Sequence, residues 1–498
     1  MSIEILLKEA DERLDRANPK EIQTFLDNEL EIYISENEDN LKDLCILYYI
    51  KANHLSMLKR LLLLENSLRV NEEINHLQER IIHSFRSSLS HGNPLEIHPE
   101  FLSSIITNLA NELDHVGRFI EAIELWKRAD LLFNEKPFPM ASGNMGLGYL
   151  CYANLLYEDG HKHILRKAAY HRFSYALDFK QFLHSSEALQ IFSDNKNHLE
   201  NLYHEEFLFD KPDFEKSIYS KEEEDYRKWC LDHTLFLNPL NDINNSWSAD
   251  RDILGLPSIV VPLEDSYPIY HSYINQIKQE YVSARWFLYE STILQTHFSD
   301  KQTSLYNTLD YQSYGLSIQT LKVAFRSIYS IFDKIGFFLY KYFEIKDLNE
   351  KGVSFKSIWY KNSRAKKLEI RDQINIENNL PLKGLFWLSK DFFYKGNLEY
   401  REVMEPDSTD LDELRNHLEH KFISIYDDAF SYSEITSLDE INRSDLFDKT
   451  LRILKLARAA IIYLSLGIHQ NETILSKNRG ETLIAKISID QIDDEWKQ

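Results

Sequence analysis

Glycine and proline are scarce in this chain, 14 and 12 among 498 residues, against usual shares of about 7% and 5%. Turn-rich β folds place both residues at their turns, so the shortage excludes a many-stranded sandwich or barrel and favours long helices. Cysteine is scarcer still. Cys45, Cys151 and Cys230 are odd in number, far apart and without a CxxC pair, which argues against a disulfide framework or a zinc site and for a reducing compartment. Long apolar runs are missing too: those around Ile335–Leu339 and Ala459–Leu464 are much too short to span a bilayer. The opening MSIEILLKEADERLD carries acids where a signal peptide carries an apolar core, so the expected location is cytoplasmic with no membrane segment. Positive charge is in deficit, with 57 Lys and Arg against 79 Asp and Glu and a net charge of −22. Such a field repels phosphate and disfavours broad binding to duplex DNA; a nucleic-acid contact has to be local. Gly-rich phosphate loops, HExxH and GxSxG are absent.

What remains is apolar and aromatic. Hydrophobic residues make up 43% of the chain, with 28 Tyr and 28 Phe, enough for two or three helical domains at this length. Residues 1–95 read as amphipathic helices, with Leu41, Leu44, Leu47 and Tyr48 at helical spacing. From Ser103 the segment SSIITNLANELDHVGRFIEAIELWKRADLLF sets Ala110, Gly117, Ala122, Trp126 and Ala129 at the small and aromatic positions of a tetratricopeptide repeat. Small residues let two helices approach, the glycine permits the tight turn and the aromatic fills the gap between helices. A second, degenerate unit follows with Gly148, Ala153 and Gly160. Residues 205–310 are less regular. FLNPLNDINNSWSADRDILGLPSIVVP, from Phe236, reads as a connector with some extended backbone, and a helix is expected over Tyr270–Gln295.

Beyond Ser317 four helices are expected. Ile318, Leu321, Phe325, Ile328, Phe332, Ile335, Leu339 and Tyr342 mark a long buried one. A second lies near Leu385–Phe393. A third is capped by Ser408, Thr409 or Asp410 and carries the stripe Leu411, Leu414, Leu418, Phe422 and Ile425. A fourth begins after Ser444 and ends at Gly467. The expected organisation is a repeat region over 1–205, a connector over 206–310, a four-helix bundle over 311–475 and a tail over 476–498.

Chemistry-bearing candidates are few. His161, Lys162 and His163 lack a carboxylate or cysteine pattern for a metal and read as solvent-facing. Arg and His separated by four to six residues occur five times: Arg69 with His76, Arg86 with His91, Arg166 with His171, Arg227 with His233, and Arg415 with His420. Spacing alone does not choose among them. Only the last pair sits on a capped helix inside the C-terminal bundle, with the polar Asn416 next to the arginine. On that helix Glu413, Asn416 and His420 fall opposite the Leu418 stripe and Arg415 lies at its flank.

Through RNHLEHKF, together with SIYSIFDKIGFFLYKYF and GLFWLSKDFF, the C-terminal part resembles the HEPN superfamily, in a branch where a tetratricopeptide-like region comes first; FLNPLND also looks familiar there. The implied fold is all-α: a tetratricopeptide-like α-solenoid followed by a HEPN four-helix bundle. The resemblance implies a metal-independent endoribonuclease without a cofactor, acting as a homodimer, with Arg415, Asn416 and His420 catalytic and a 2′,3′-cyclic phosphate product. Histidine titrates near neutrality and can give or take the proton, while arginine grips phosphate. It also implies a prokaryotic defence or toxin setting, with a protein or ligand trigger at the repeats. Lys421, and the net-positive segment from Lys346 to Asp372 with Lys361, Arg364, Lys366 and Lys367, are candidate RNA contacts; Phe355, Trp359 and Tyr360 within it could stack on bases. Asp333 is a candidate supporting carboxylate or the partner of a nearby lysine. The other reading is a scaffold that binds a protein through its repeats and keeps the HEPN shape without the chemistry.

Overall fold

Small residues dictate how the N-terminal helices meet. In a computed structural model, helices α1 (Ile3–Arg16), α2 (Leu41–Leu64), α3 (Asn71–His91), α4 (Pro99–His115), α5 (Phe119–Leu132), α6 (Pro139–Leu155) and α7 (Asp159–Asp178) stack in chain order. The tightest packing is between α2 and α3, α4 and α5, and α6 and α7. Ala110, Ala122 and Ala129 are fully buried where α4 meets α5. The turn between them is made by Gly117 at φ 85°, a conformation that costs glycine little. Trp126 fills the gap to α6, where a Cβ on Gly148 would come within 2.5 Å of its ring. The structure describes residues 3–64, 71–93, 95–132, 138–183, 185–210, 218–262, 268–294, 296–307, 312–363, 368–392, 421–427, 440–480 and 484–497, with Leu411, Leu414, Arg415, His417 and Leu418.

After α8 (Ser186–Leu202) and α9 (Lys221–Asp232) comes the segment read as a connector. Its FLNPLND stretch is buried. Asn238, Asn241 and Asp242 are at most 2% accessible, because their side chains replace missing backbone partners. Asn241 accepts from the Phe236 amide at 3.1 Å and Asn238 from the Leu240 amide at 3.0 Å. Asp242 meets Arg458 in a two-pronged ion pair at 2.7 and 3.0 Å.

The C-terminal half packs α10 (Ile269–Ile293) along α11 (Leu316–Tyr342), with both against α13 (Arg443–Asn478); α12 (Leu380–Ser389) also lies on α13. Two expectations are corrected here. The last helix does not end at Gly467 but runs on to Asn478. That glycine is an approach point: a Cβ there would lie 2.7 Å from the Leu382 side chain, and Asn379 donates to its carbonyl at 2.8 Å. Nor does the third helix carry its stripe to Ile425. Leu411, Leu414 and Leu418 are helical and buried, but Phe422 is 96% exposed and Ile425 lies in strand β1 (Ser424–Tyr426), parallel to β2 (Glu440–Asn442). The reason is periodicity. Ile423 and Ile425 are buried while Ser424 and Tyr426 are half-buried, an alternation of two that belongs to a strand. Among the described residues no helix is long and apolar enough to cross a membrane.

The halves are locked together by backbone contact and by buried charge. The Gly117 turn crosses α12 so closely that a Cβ on Gly384 would come within 2.3 Å of the Gly117 carbonyl oxygen. Next to it the Tyr463 hydroxyl accepts from the Ile120 amide at 3.1 Å. Arg86 grips Asp391 at 2.8 and 3.1 Å, Arg118 reaches the same carboxylate at 2.6 Å and also pairs with Glu121, and Lys390 pairs with Glu79. Burial by itself raises the Asp391 carboxyl, but Arg118 and Arg86 hold it far below the usual carboxylate range.

Candidate functional site

The helical turn of the Arg-His motif is held by its apolar face. Leu411, Leu414 and Leu418 point into the core, and His417, on the same face, is only 6% accessible. Its Nε2 lies 3.1 Å from the Lys421 Nζ, so His417 is a packed residue at the end of the helix. Arg415 is half-buried at the flank, where its guanidinium lies 4.7 Å from the centre of the Tyr329 ring of α11. A cation over an aromatic face is held by about 0.5–2 kcal/mol, and Tyr329 is itself fixed edge-on against Phe392 at 5.6 Å. Asn416 and His420 lie outside the described residues, as do Glu413 and the capping candidates Ser408, Thr409 and Asp410.

The competing Arg and His pairs have structural employment. Arg86 belongs to the Asp391 cluster, and the Nδ1 of His91 lies 2.6 Å from the Ser87 carbonyl. Arg166 reaches Asn154 and Tyr203 at 3.1 and 3.4 Å, and Arg227 pairs with Glu223 at 2.9 Å. Arg69 lies outside the described residues. His161 meets Glu158 at 2.8 Å and His163 meets the Tyr203 hydroxyl at 2.7 Å.

The basic segment differs from its sequence reading. Phe355 and Trp359 are fully buried and Tyr360 is 8% accessible, so none of the three offers a face to a base; they pack against Phe392 and Phe386 of the bundle core. Asp333 forms no lysine pair among the described residues; it accepts from the Phe355 amide at 3.0 Å and anchors this loop to α11. Arg371 is buried against Asp347, and Lys361 pairs with Asp372 at 2.9 Å and Glu369 at 3.8 Å. Arg364, Lys366 and Lys367 lie outside the described residues.

A cleft that sequence reading missed opens at the end of the motif helix. It has a volume of about 440 Å³ and is lined by Ser313, Tyr314, Lys322, Lys421, Phe422 and Ser424 among others. Tyr314 and Phe422 are exposed at 51% and 96%. The Lys322 amine is lowered by burial and by neighbouring Arg326, and it reaches the Ile423 carbonyl at 3.5 Å. The only signal available beforehand was the break from helical to alternating pattern after Lys421, which turns Phe422 outward.

No curated protein and no solved structure matches the chain. Residues 263–471, which run from before α10 into α13 and include the motif helix, match the family described as LA2681-like HEPN, so this segment carries a HEPN domain.

Proposed function

We propose that this protein is a metal-independent endoribonuclease in which Arg415, Asn416 and His420 do the chemistry. The carrying observation is the HEPN family match over the segment that contains this Arg-His motif. The ribose 2′-hydroxyl attacks the adjacent phosphorus, the bond to the 5′-oxygen breaks, and a 2′,3′-cyclic phosphate and a 5′-hydroxyl result. His420 takes the proton from the attacking hydroxyl or returns one to the leaving oxygen. Arg415 steadies the phosphorane charge through paired hydrogen bonds, and Asn416 orients His420. Two copies of the chain, pairing through their HEPN domains, bring together two histidines that divide the acid and base roles. Lys421 and Lys322 beside the cleft, with Phe422 and Tyr314 at its rim, suit a single-stranded RNA through charge and stacking. The N-terminal stack, similar to tetratricopeptide repeats, serves as the sensor in a defence or toxin effector.

The test is incubation of the purified protein, in chelator, with a mixed-sequence RNA beside Arg415→Ala and His420→Ala. Cleavage by the unmodified protein alone, leaving a cyclic phosphate, is the expected result. Cleavage that persists in both variants moves the site elsewhere.

A further inference from the structure

A cavity of about 1040 Å³ lies away from the motif helix, between α3, α4 and α5 on one side and α13 on the other. Its floor is aliphatic, with Leu109, Leu113, Ile120 and Ile123 nearly inaccessible to solvent. Among the described residues no aromatic side chain lines it, so they offer no surface on which a nucleobase could stack. Six cationic side chains border it against four acidic ones. Three of the six are bound in ion pairs: Arg86 to Asp391, Lys455 to Glu124 and Arg458 to Asp242.

Lys127 is different. It lies at the wall of the cavity, and among the described residues its amine forms no ion pair, Asp242 and Glu124 acting on it only from farther off. A half-buried lysine with no carboxylate in direct contact still has something to gain from an anion that enters beside it. Arg128, the next residue, lines the same cavity from its exposed side. In a chain of net charge −22, this is a local exception to a field that otherwise repels anions.

From the cavity's size, aliphatic floor and unpaired Lys127 we infer a binding site for a small amphipathic anion: an aliphatic body with one carboxylate, phosphate or sulfonate head. The head meets Lys127 and Arg128, and the body lies on Leu109, Leu113 and Ile123. Because the walls come from both halves, the ligand ties α5 to α13. The site is independent of the RNA-cleaving chemistry and can be tested without it.

Burial pushes the Lys127 amine down to about 8. Asp242 and Glu124 favour its charged form, and Arg172 and Arg458 oppose it. Affinity for an anion therefore falls as pH rises from 7 to 9.

The experiment is a titration of the full chain with decanoate by calorimetry, beside decyl phosphate, decanol as the neutral body and inorganic phosphate as the bare head. Decanoate or decyl phosphate is expected to bind at least tenfold more tightly than decanol or inorganic phosphate; the better of the two names the head group. Lys127→Met, with an unchanged circular dichroism spectrum, loses that tenfold advantage. Lys127→Arg keeps the binding and loses the pH dependence, which a merely structural role for Lys127 does not produce. Equal binding of decanoate and decanol, no binding of either anion, or anion affinity undiminished in Lys127→Met overturns the proposal.

Discussion

At the scale of single residues, a few of the chain's charges are buried, and they are buried together. Asp391 holds two guanidinium groups, Arg86 and Arg118, of which the second is wholly buried. Removing one member of a buried charge cluster leaves the others uncompensated, which costs about 3–5 kcal/mol. Asp391→Ala is therefore expected to lose that much stability in urea unfolding at neutral pH. The carboxyl is depressed in the folded state, so its contribution is complete above its unfolded value of about 4 and is lost as pH falls through the lower folded value. Asp114 behaves in the opposite way. Its Oδ1 is buried without a hydrogen-bond partner, and burial raises its carboxyl to about 6. Its contribution is present below the unfolded value and is lost as pH rises through 6. Asp114→Asn is expected to raise stability at pH 7.5 by about 1–2 kcal/mol and to flatten the stability profile between pH 4 and 6. A variant no more stable than the parent at pH 7.5 counts against this reading.

At the scale of elements, glycines distinguish contact from mere flexibility. Gly384 lies in α12 where the backbone of the Gly117 turn leaves no room for a Cβ, whereas a Cβ on Gly160, in the first turn of α7, meets nothing within 4 Å. Gly384→Ala is expected to cost more than about 2 kcal/mol, since backbone and not a flexible side chain must move. Gly160→Ala is expected to be neutral or to gain up to about 1 kcal/mol. Paired thermal melts test both; equal midpoints would remove the close crossing as a determinant of stability. These elements also show how far the sequence could be read. Ala110, Ala122, Trp126 and Ala129 announced a helical pair, and all four are buried as their spacing requires. The helix read over Tyr270–Gln295 spans Ile269–Ile293. What failed were judgements that depended on distant partners. Gly467 reads as a helix end only until Leu382 is set against it. The polar FLNPLND segment reads as a mere connector until Arg458 is there to neutralise Asp242. Phe355 and Trp359 read as stacking platforms only while Phe386 and Phe392 are out of view. For the candidate site, the sequence located Arg415 on a helix with an apolar face, but the Tyr329 ring beneath its guanidinium and the cleft beyond Lys421 arise from α11 and from the segment at 312–314, far away in the chain.

At the scale of the whole molecule, the two halves share their interior. The contacts of Arg118, Gly117 and Ile120 with Asp391, Gly384 and Tyr463 lie at one junction, and α5 also rests on α13. A single cooperative unfolding transition is expected in calorimetry, despite a length at which separate domains usually melt apart. Two transitions that are already present in the unmodified chain would show that the junction is weaker than its contacts imply. Asp391→Ala is the variant expected to split the transition, because it removes the charge common to both halves.

The Asp391 cluster also bears on descent. Arg86 and Arg118 belong to one half and Asp391 to the other, so a gene fusion that exchanged either half for a stranger would leave Asp391 without an answer, or Arg86 without one and Arg118 with Glu121 alone. The halves can drift, but they cannot be dealt out separately: an N-terminal half transplanted onto this bundle must bring both arginines with it, and the three residues form an inheritance that recombination has to respect.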